Sequence, residues 1–315
     1  MTQLTLADMR AYLGRSIASL NENKLRGVLA EIAFRDYLRT LGYADRVSAG
    51  GWIARSTGAG QFGRRAVVIF PETLQPGQKY AASGVHRPAP NGLHTVCAVF
   101  QQIGIAGYYC QPVVAAMGVA ESVAWHAVRL GVPGNPTHEP LAVALRTLTP
   151  RTRQHNFLRY HTNTAQLPDL AVADEFSKEH LRVSLQTPFL VECSDVDGVL
   201  WGQQYTYPVE IKEKTEAADN RVGKYFGIDT GPFVKLAFYA AKRGNLRSLF
   251  VVREIDDPAT RNLVAWWYIT FDRLAEFASW VPQAGGTNMG GGRSTVVKIP
   301  KDQFSLLDTG ALAQL

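Results

Sequence analysis

Glu210 and Lys212 stand two apart in the run 207–215, YPVEIKEKT, where Val209 and Ile211 alternate with them. Residues two apart on a strand share a face. The run therefore predicts a strand with one apolar face and, on the other, a carboxylate beside an ammonium. On a solvated sheet such a pair contributes little to stability. Next to a second carboxylate it gains a use. Mg2+ takes oxygen ligands and keeps several waters, so two carboxylates and a phosphate oxygen suffice to hold it. Pro168-Asp169 offers that second acid, because 168–174, PDLAVAD, reads as a short strand opening on an aspartate.

Asp169 and Glu210 are 41 residues apart, and the interval holds other acids: Asp174, Glu175, Glu192, Asp195 and Asp197. Asp195 and Asp197 fall in the DVDG stretch, 195–198, where Asp-Gly signals a tight turn. A turn-forming role accounts for them, and Asp169 is taken as the partner of Glu210. A further acid, Glu31, lies at the edge of an apolar stripe next to Val28, Leu29 and Ile32. A carboxylate there is costly unless paired or bound to metal. Pairing with Arg35, four residues on, is the plainer account.

These residues need elements to hold them. Residues 21–43 carry apolar side chains at helical spacing, with Gly42 as the helix end. From 167 onward the pattern reads as a strand, a hairpin about DVDG, a helix over 231–245, strands over 248–255 and 263–271, and a helix over 272–281. That order implies a mixed α/β layer. Between these parts, 44–160 is interrupted by Pro and Gly. There, 95–110 reads as strands and 112–131 as a helix, and near the end 285–295, GGTNMGGGRST, reads as a flexible loop.

Pro168-Asp169, Glu210-Ile211-Lys212 and the leading helix with Glu31 together resemble the PD-(D/E)XK nuclease superfamily, most closely its type II restriction endonucleases. The resemblance covers 24–43 and 167–272. It implies an α/β fold in which helices flank a mixed central β-sheet, with a large insertion. The expected organisation is nuclease-core helices over 1–43, an inserted DNA-recognition region over 44–160, and the catalytic core over 161–315. It further implies that Asp169 and Glu210 bind Mg2+ together with the Ile211 carbonyl. Lys212 would position or deprotonate a water and stabilise charge on the phosphate, and Glu31 would assist through a water. Lys214 and Lys224 could touch phosphates or lie solvated.

The charge distribution fits a polyanion partner. The chain carries +6 overall, and the segment from Arg55 to Tyr160 carries ten basic and three acidic residues. Arginine suits guanine edges and phosphates. The candidates for contact with double-stranded DNA are Arg64, Arg65, Arg146, Arg151, Arg153, Gln154, Asn156 and Arg159. A solvated connecting loop is the alternative for these residues. A palindromic target would want a homodimer. Three widely spaced cysteines and no long apolar run suggest a reduced, cytoplasmic protein outside the membrane.

Two other functions fit the same residues. One is a structure-specific or modified-base-dependent nuclease, in which Trp52, Trp125, Tyr108 and Tyr109 line a flipped-base pocket. The other is a DNA-binding protein with a catalytically silent core.

Overall fold

A computed structural model describes residues 3–15, 22–58, 65–78, 87–134, 137–154, 164–241, 244–287 and 293–315. The chain divides into two compact units, each built from two separated segments: 1–28 with 49–196, and 29–48 with 197–315. The fold is mixed α/β, with helices packed on mixed sheets.

The first unit holds α1 (Leu6–Arg15) and the start of α2 (Glu22–Thr40). It continues with β1 (Gly51–Ser56), β2 (Ala66–Pro71), α3 (Asn91–Gln102), β3 (Ala106–Val114) and β4 (Val123–Leu130). It closes with β5 (His138–Pro140), α4 (Leu141–Ala144), α5 (Asp169–Gln186) and β6 (Val191–Val196). Its sheet runs β5-β4-β3-β2-β1-β6, with β2 and β3 parallel across the α3 crossover.

Local patterns misled the reading here. The 95–110 stretch is strand only over 106–110; 95–102 belong to helix α3, which closes past Gln102 with Gly104 at φ +80°. The 112–131 stretch is strand, the end of β3 followed by β4. Valines support either period in short windows, and long-range pairing decided. PDLAVAD is no strand. Pro168 caps α5 and Asp169 opens it, and Ala171, Val172, Phe176 and Leu181 are buried along that helix. A seven-residue window is too short to separate a period of 2 from one of 3.6.

The second unit contains the rest of α2, then β7 (Gly198–Trp201), β8 (Thr206–Lys214), β9 (Ala217–Asp219), β10 (Gly223–Asp229) and α6 (Thr230–Ala240). There follow β11 (Leu249–Ile255), β12 (Leu263–Thr270), α7 (Phe271–Phe277), β13 (Gln283–Thr287), β14 (Arg293–Pro300), β15 (Ser305–Leu306) and α8 (Thr309–Gln314). One sheet runs β15-β12-β11-β8-β7, the other β13-β14-β10-β9. So 285–287 and 293–295 belong to the antiparallel pair β13 and β14, and 288–292 lie outside the described residues.

α2 ends as its sequence predicts. Gly42 adopts φ +81°, and the Tyr43 amide donates back to the Leu38 carbonyl at 2.8 Å.

The expected hairpin exists, but its turn lies elsewhere. β7 pairs antiparallel with β8 through a turn over 202–205, closed by the Gly202 amide on the Tyr205 carbonyl at 2.8 Å. A Cβ on Gly202 would lie 1.8 Å from the Leu315 carbonyl oxygen, so only glycine fits. At Asp197-Gly198 the chain does not turn back. It leaves β6, which pairs with β1 from Ser56↔Val191 to Gly51↔Val196, and enters β7 one residue later. That pairing places 164–196 in the first unit, so the division falls after Val196 and not near 160.

Candidate metal and phosphate site

β8 is two-faced as its alternation requires. Val209 and Ile211 pack into one core with Ala30, Phe34 and Leu38 of α2 and Leu249 and Val251 of β11. Glu210, Lys212 and Lys214 take the opposite face. Their parallel partners on β11 are Phe250, Val252 and Glu254. Phe250 and Val252 join a second core with Leu236 of α6 and Phe226 and Ile228 of β10. The polar stripe of β8 therefore lies on the α6 side of the sheet.

On that side Glu210 is buried, only 3% exposed. Its Oε1 lies 2.6 Å from Lys212 Nζ and its Oε2 lies 2.7 Å from Lys235 Nζ. A carboxylate removed from water needs such partners, because an uncompensated buried charge is strongly destabilising. Lys235 comes from α6, which is fixed by Leu236 and Tyr239 in its buried face and by the Ser248 hydroxyl on the Leu236 carbonyl at 3.0 Å.

The second acid at this place is Asp197. It is also 3% exposed, and the Ile211 amide donates to its Oδ2 at 2.8 Å. The adjoining register is Gly198↔Val209, which sets Asp197 opposite Glu210 at the end of the ladder. The N–H and C=O of a strand residue point to the same side. Hence the Ile211 carbonyl faces the Asp197 edge along with its amide.

Asp169 belongs to the first unit, where its side chain is 73% exposed, with Oδ1 2.9 Å from Arg10 Nη2. The acid next to the β8 stripe is Asp197, whose Asp-Gly context predicts a turn. Glu31 is buried on α2, the helix that packs against the Val209 and Ile211 face, away from the Glu210 face.

Lys214 completes the stripe. Burial pushes its ammonium below the ordinary lysine range; Asp229 opposes that shift and the like charge of Lys212 adds to it. Glu213 faces the other way and is held by Arg253 at 2.7 Å and Arg261 at 2.8 Å, a structural pairing.

Among the described residues no group of three or more His, Cys, Asp or Glu side chains is arranged to hold a metal ion. The donors at this place are two carboxylates and a backbone carbonyl. All are hard oxygens, and that set fits Mg2+, which is commonly held by one or two carboxylates plus substrate phosphate.

The residues nominated for DNA all belong to the first unit, and several hold its backbone. The Arg65 guanidinium donates to the Thr147 carbonyl. Arg151 Nε donates to the Gln186 carbonyl at 2.9 Å, at the end of α5. Arg146 donates to the Val143 carbonyl at 3.1 Å and pairs with Glu139 at 3.4 Å. Arg153 and Gln154 are exposed. Arg64, Asn156 and Arg159 lie outside the described residues. Of the aromatics considered for a base pocket, Trp52 and Trp125 are core residues. Their indoles donate to the Lys178 carbonyl at 2.8 Å and to His180 Nδ1 at 3.0 Å. Tyr109 is buried as well.

Lys235 was missed by sequence. The signal was present: it is the only charged side chain in 230–240, TGPFVKLAFYA. A lone lysine in an apolar helix needs a reason.

Compared with protein-family models, curated proteins and solved structures, the chain matches none. Among the described residues no helix is long and apolar enough to cross a membrane.

Proposed function

We propose that the chain is a Mg2+-dependent endodeoxyribonuclease of the PD-(D/E)XK type, cutting double-stranded DNA at a specific sequence in the manner of a type II restriction enzyme. The observation that carries the reading is the juxtaposition of Asp197, Glu210 and Lys212. Two buried acids flank the last rung of the β7–β8 ladder, Gly198↔Val209, with a lysine 2.6 Å from one of them. The element order around them also supports it: a leading helix, a hairpin, a helix, then a strand parallel to the acid-bearing one.

Asp197, Glu210 and the Ile211 carbonyl would hold Mg2+. When bound, the ion lowers the pKa of a coordinated water and offsets charge on the phosphate. Lys212 Nζ hydrogen-bonds the attacking water, accepts its proton when neutral, and as an ammonium stabilises the negative charge developing on the phosphate oxygens. The apolar cores on both faces of β8 keep bulk water from the acids and so strengthen these interactions. Arg153 and Gln154 remain candidates for contact with DNA, and a homodimer is proposed for a palindromic target.

Digestion of a sequenced phage DNA with Mg2+, followed by end mapping, tests the reading. Discrete fragments with a common end sequence are expected. DNA binding that persists without cleavage in Mg2+ or Mn2+ would instead identify a catalytically silent binding protein.

A further inference from the structure

We infer that Lys235 is a positioning residue that guards the cation site, occupying Glu210 Oε2 until a divalent cation displaces it. This rests on the reading of Asp197 and Glu210 as cation ligands. Glu210 carries two ammonium partners at 2.6 and 2.7 Å, one on each oxygen. Lys212 and Lys235 together balance Glu210 and the neighbouring Asp197, so a cation that takes Glu210 Oε2 must displace an ammonium already seated there, and that ammonium comes from a different element, α6 rather than β8.

The two lysines are not equivalent. Lys212 shares a strand with Glu210 and is bound to stay near it. Lys235 reaches Glu210 from a helix whose neighbouring residue Leu236 is locked in the core. Its long side chain has rotamers that withdraw the ammonium without moving the helix. A cation taking Oε2 must expel that ammonium, and the expelled charge remains at the site, where a phosphodiester oxygen can take it as a partner. Loading of the cation alone is thus opposed, and loading together with an anionic substrate is relieved. This is a coupling between two ligands of one site.

The experiment is calorimetric titration of the full chain with Mn2+ alone, without DNA, for wild type, Lys235→Gln and Lys235→Arg. Lys235→Gln is expected to bind Mn2+ about tenfold more tightly than wild type, the order expected from removing one charge at a partly buried site. Lys235→Arg keeps the charge and is expected to bind as weakly as wild type. Adding Glu210→Gln to Lys235→Gln is expected to abolish binding. A purely structural role for Lys235 predicts weaker binding in the glutamine variant, and equal or weaker binding there overturns the inference. If Lys235→Gln does not fold, tighter binding by Lys235→Arg overturns it instead. Plasmid cleavage by wild type is scored separately. Cleavage without tightening in Lys235→Gln removes the guard and leaves the nuclease reading. Tightening without any cleavage leaves the guard and removes the nuclease reading.

Discussion

The Ile211 amide donates to Asp197 Oδ2 at 2.8 Å, across fourteen residues of sequence. A backbone donor in mid-strand thereby fixes the carboxylate that stands opposite Glu210. The aspartate acts in place of the next rung of the ladder, because its own strand ends there.

That bond separates two aspartates by experiment. Asp197→Asn and Glu210→Gln are each expected to lower DNA cleavage at least a hundredfold, with unchanged circular dichroism, since each removes a charge from the oxygen set. Asp169→Asn is expected to cleave within about twofold of wild type, because its exposed pair with Arg10 contributes about 0–1 kcal/mol. Cleavage lost in Asp169→Asn but retained in Asp197→Asn would reverse the assignment.

Lys24 lies 3.1 Å from Glu175 and 2.5 Å from Glu179, two acids buried on α5. Lys24→Met leaves Glu175 with Lys178 at 4.0 Å and Glu179 with Arg182 at 2.9 Å, each acid short of its nearest cation. A loss of roughly 3–5 kcal/mol is expected in urea unfolding. A change below about 1 kcal/mol would mean that the pair is dispensable.

His180 is buried, and burial lowers its pKa from 6.5 to about 4, against the opposing effects of the Ala120 backbone and Glu121. The unfolded chain takes up this proton near pH 6.5 and the folded chain near 4, so the unfolded state binds more protons between them. Stability therefore falls as pH drops through that window, by about 3 kcal/mol in all. His180→Phe is expected to remove that much of the acid sensitivity between pH 7 and 4, measured by denaturant unfolding. An unaltered pH profile in the variant would refute the assignment.

Cys97, Cys110 and Cys193 are free thiols. Burial pushes Cys97 and Cys193 up to about 12 and Cys110 higher still. Ellman's reagent is expected to leave the buried Cys97 and Cys110 unlabelled within minutes in the native protein, to label the half-buried Cys193 more slowly than in urea, and to label all three in urea. Rapid native labelling would show a thiol open to solvent.

Arg151 and Arg153 stand two apart and should behave differently. Arg151→Ala loses the bond to the Gln186 carbonyl and is expected to cost about 1–3 kcal/mol of stability. Arg153 is exposed and makes no such bond among the described residues. Arg153→Ala is expected to leave stability within about 0.5 kcal/mol and to lower the salt slope of DNA binding by about one. An unchanged slope would remove Arg153 from the DNA face.

The two faces of β8 were legible because alternation over YPVEIKEK is a local property that packing on both sides then enforced. α6, β11, β12 and the end of α2 at Gly42 were legible for the same reason: each carries its period and its stop signal within its own residues. Asp197 was not. Its Asp-Gly neighbourhood carries a strong local turn signal, and it was overridden by β6 pairing with β1, some 140 residues earlier in the chain. Asp169 was misplaced by a short apolar window that α5 absorbed. The role of Arg65 and Arg151 was hidden because a guanidinium bound to a carbonyl and one awaiting a phosphate look alike in sequence.

The division of the chain sets an order of events during synthesis. The first unit is complete once Val196 has been made, whereas the second begins at Leu29 and cannot close its core until α8 supplies Leu312. Domains tend to fold as soon as their residues emerge. The apolar stripe of α2, with Phe34 and Leu38, must then wait unburied while well over two hundred further residues are added. During that interval the nascent chain carries an apolar helix whose partner strands are still unmade.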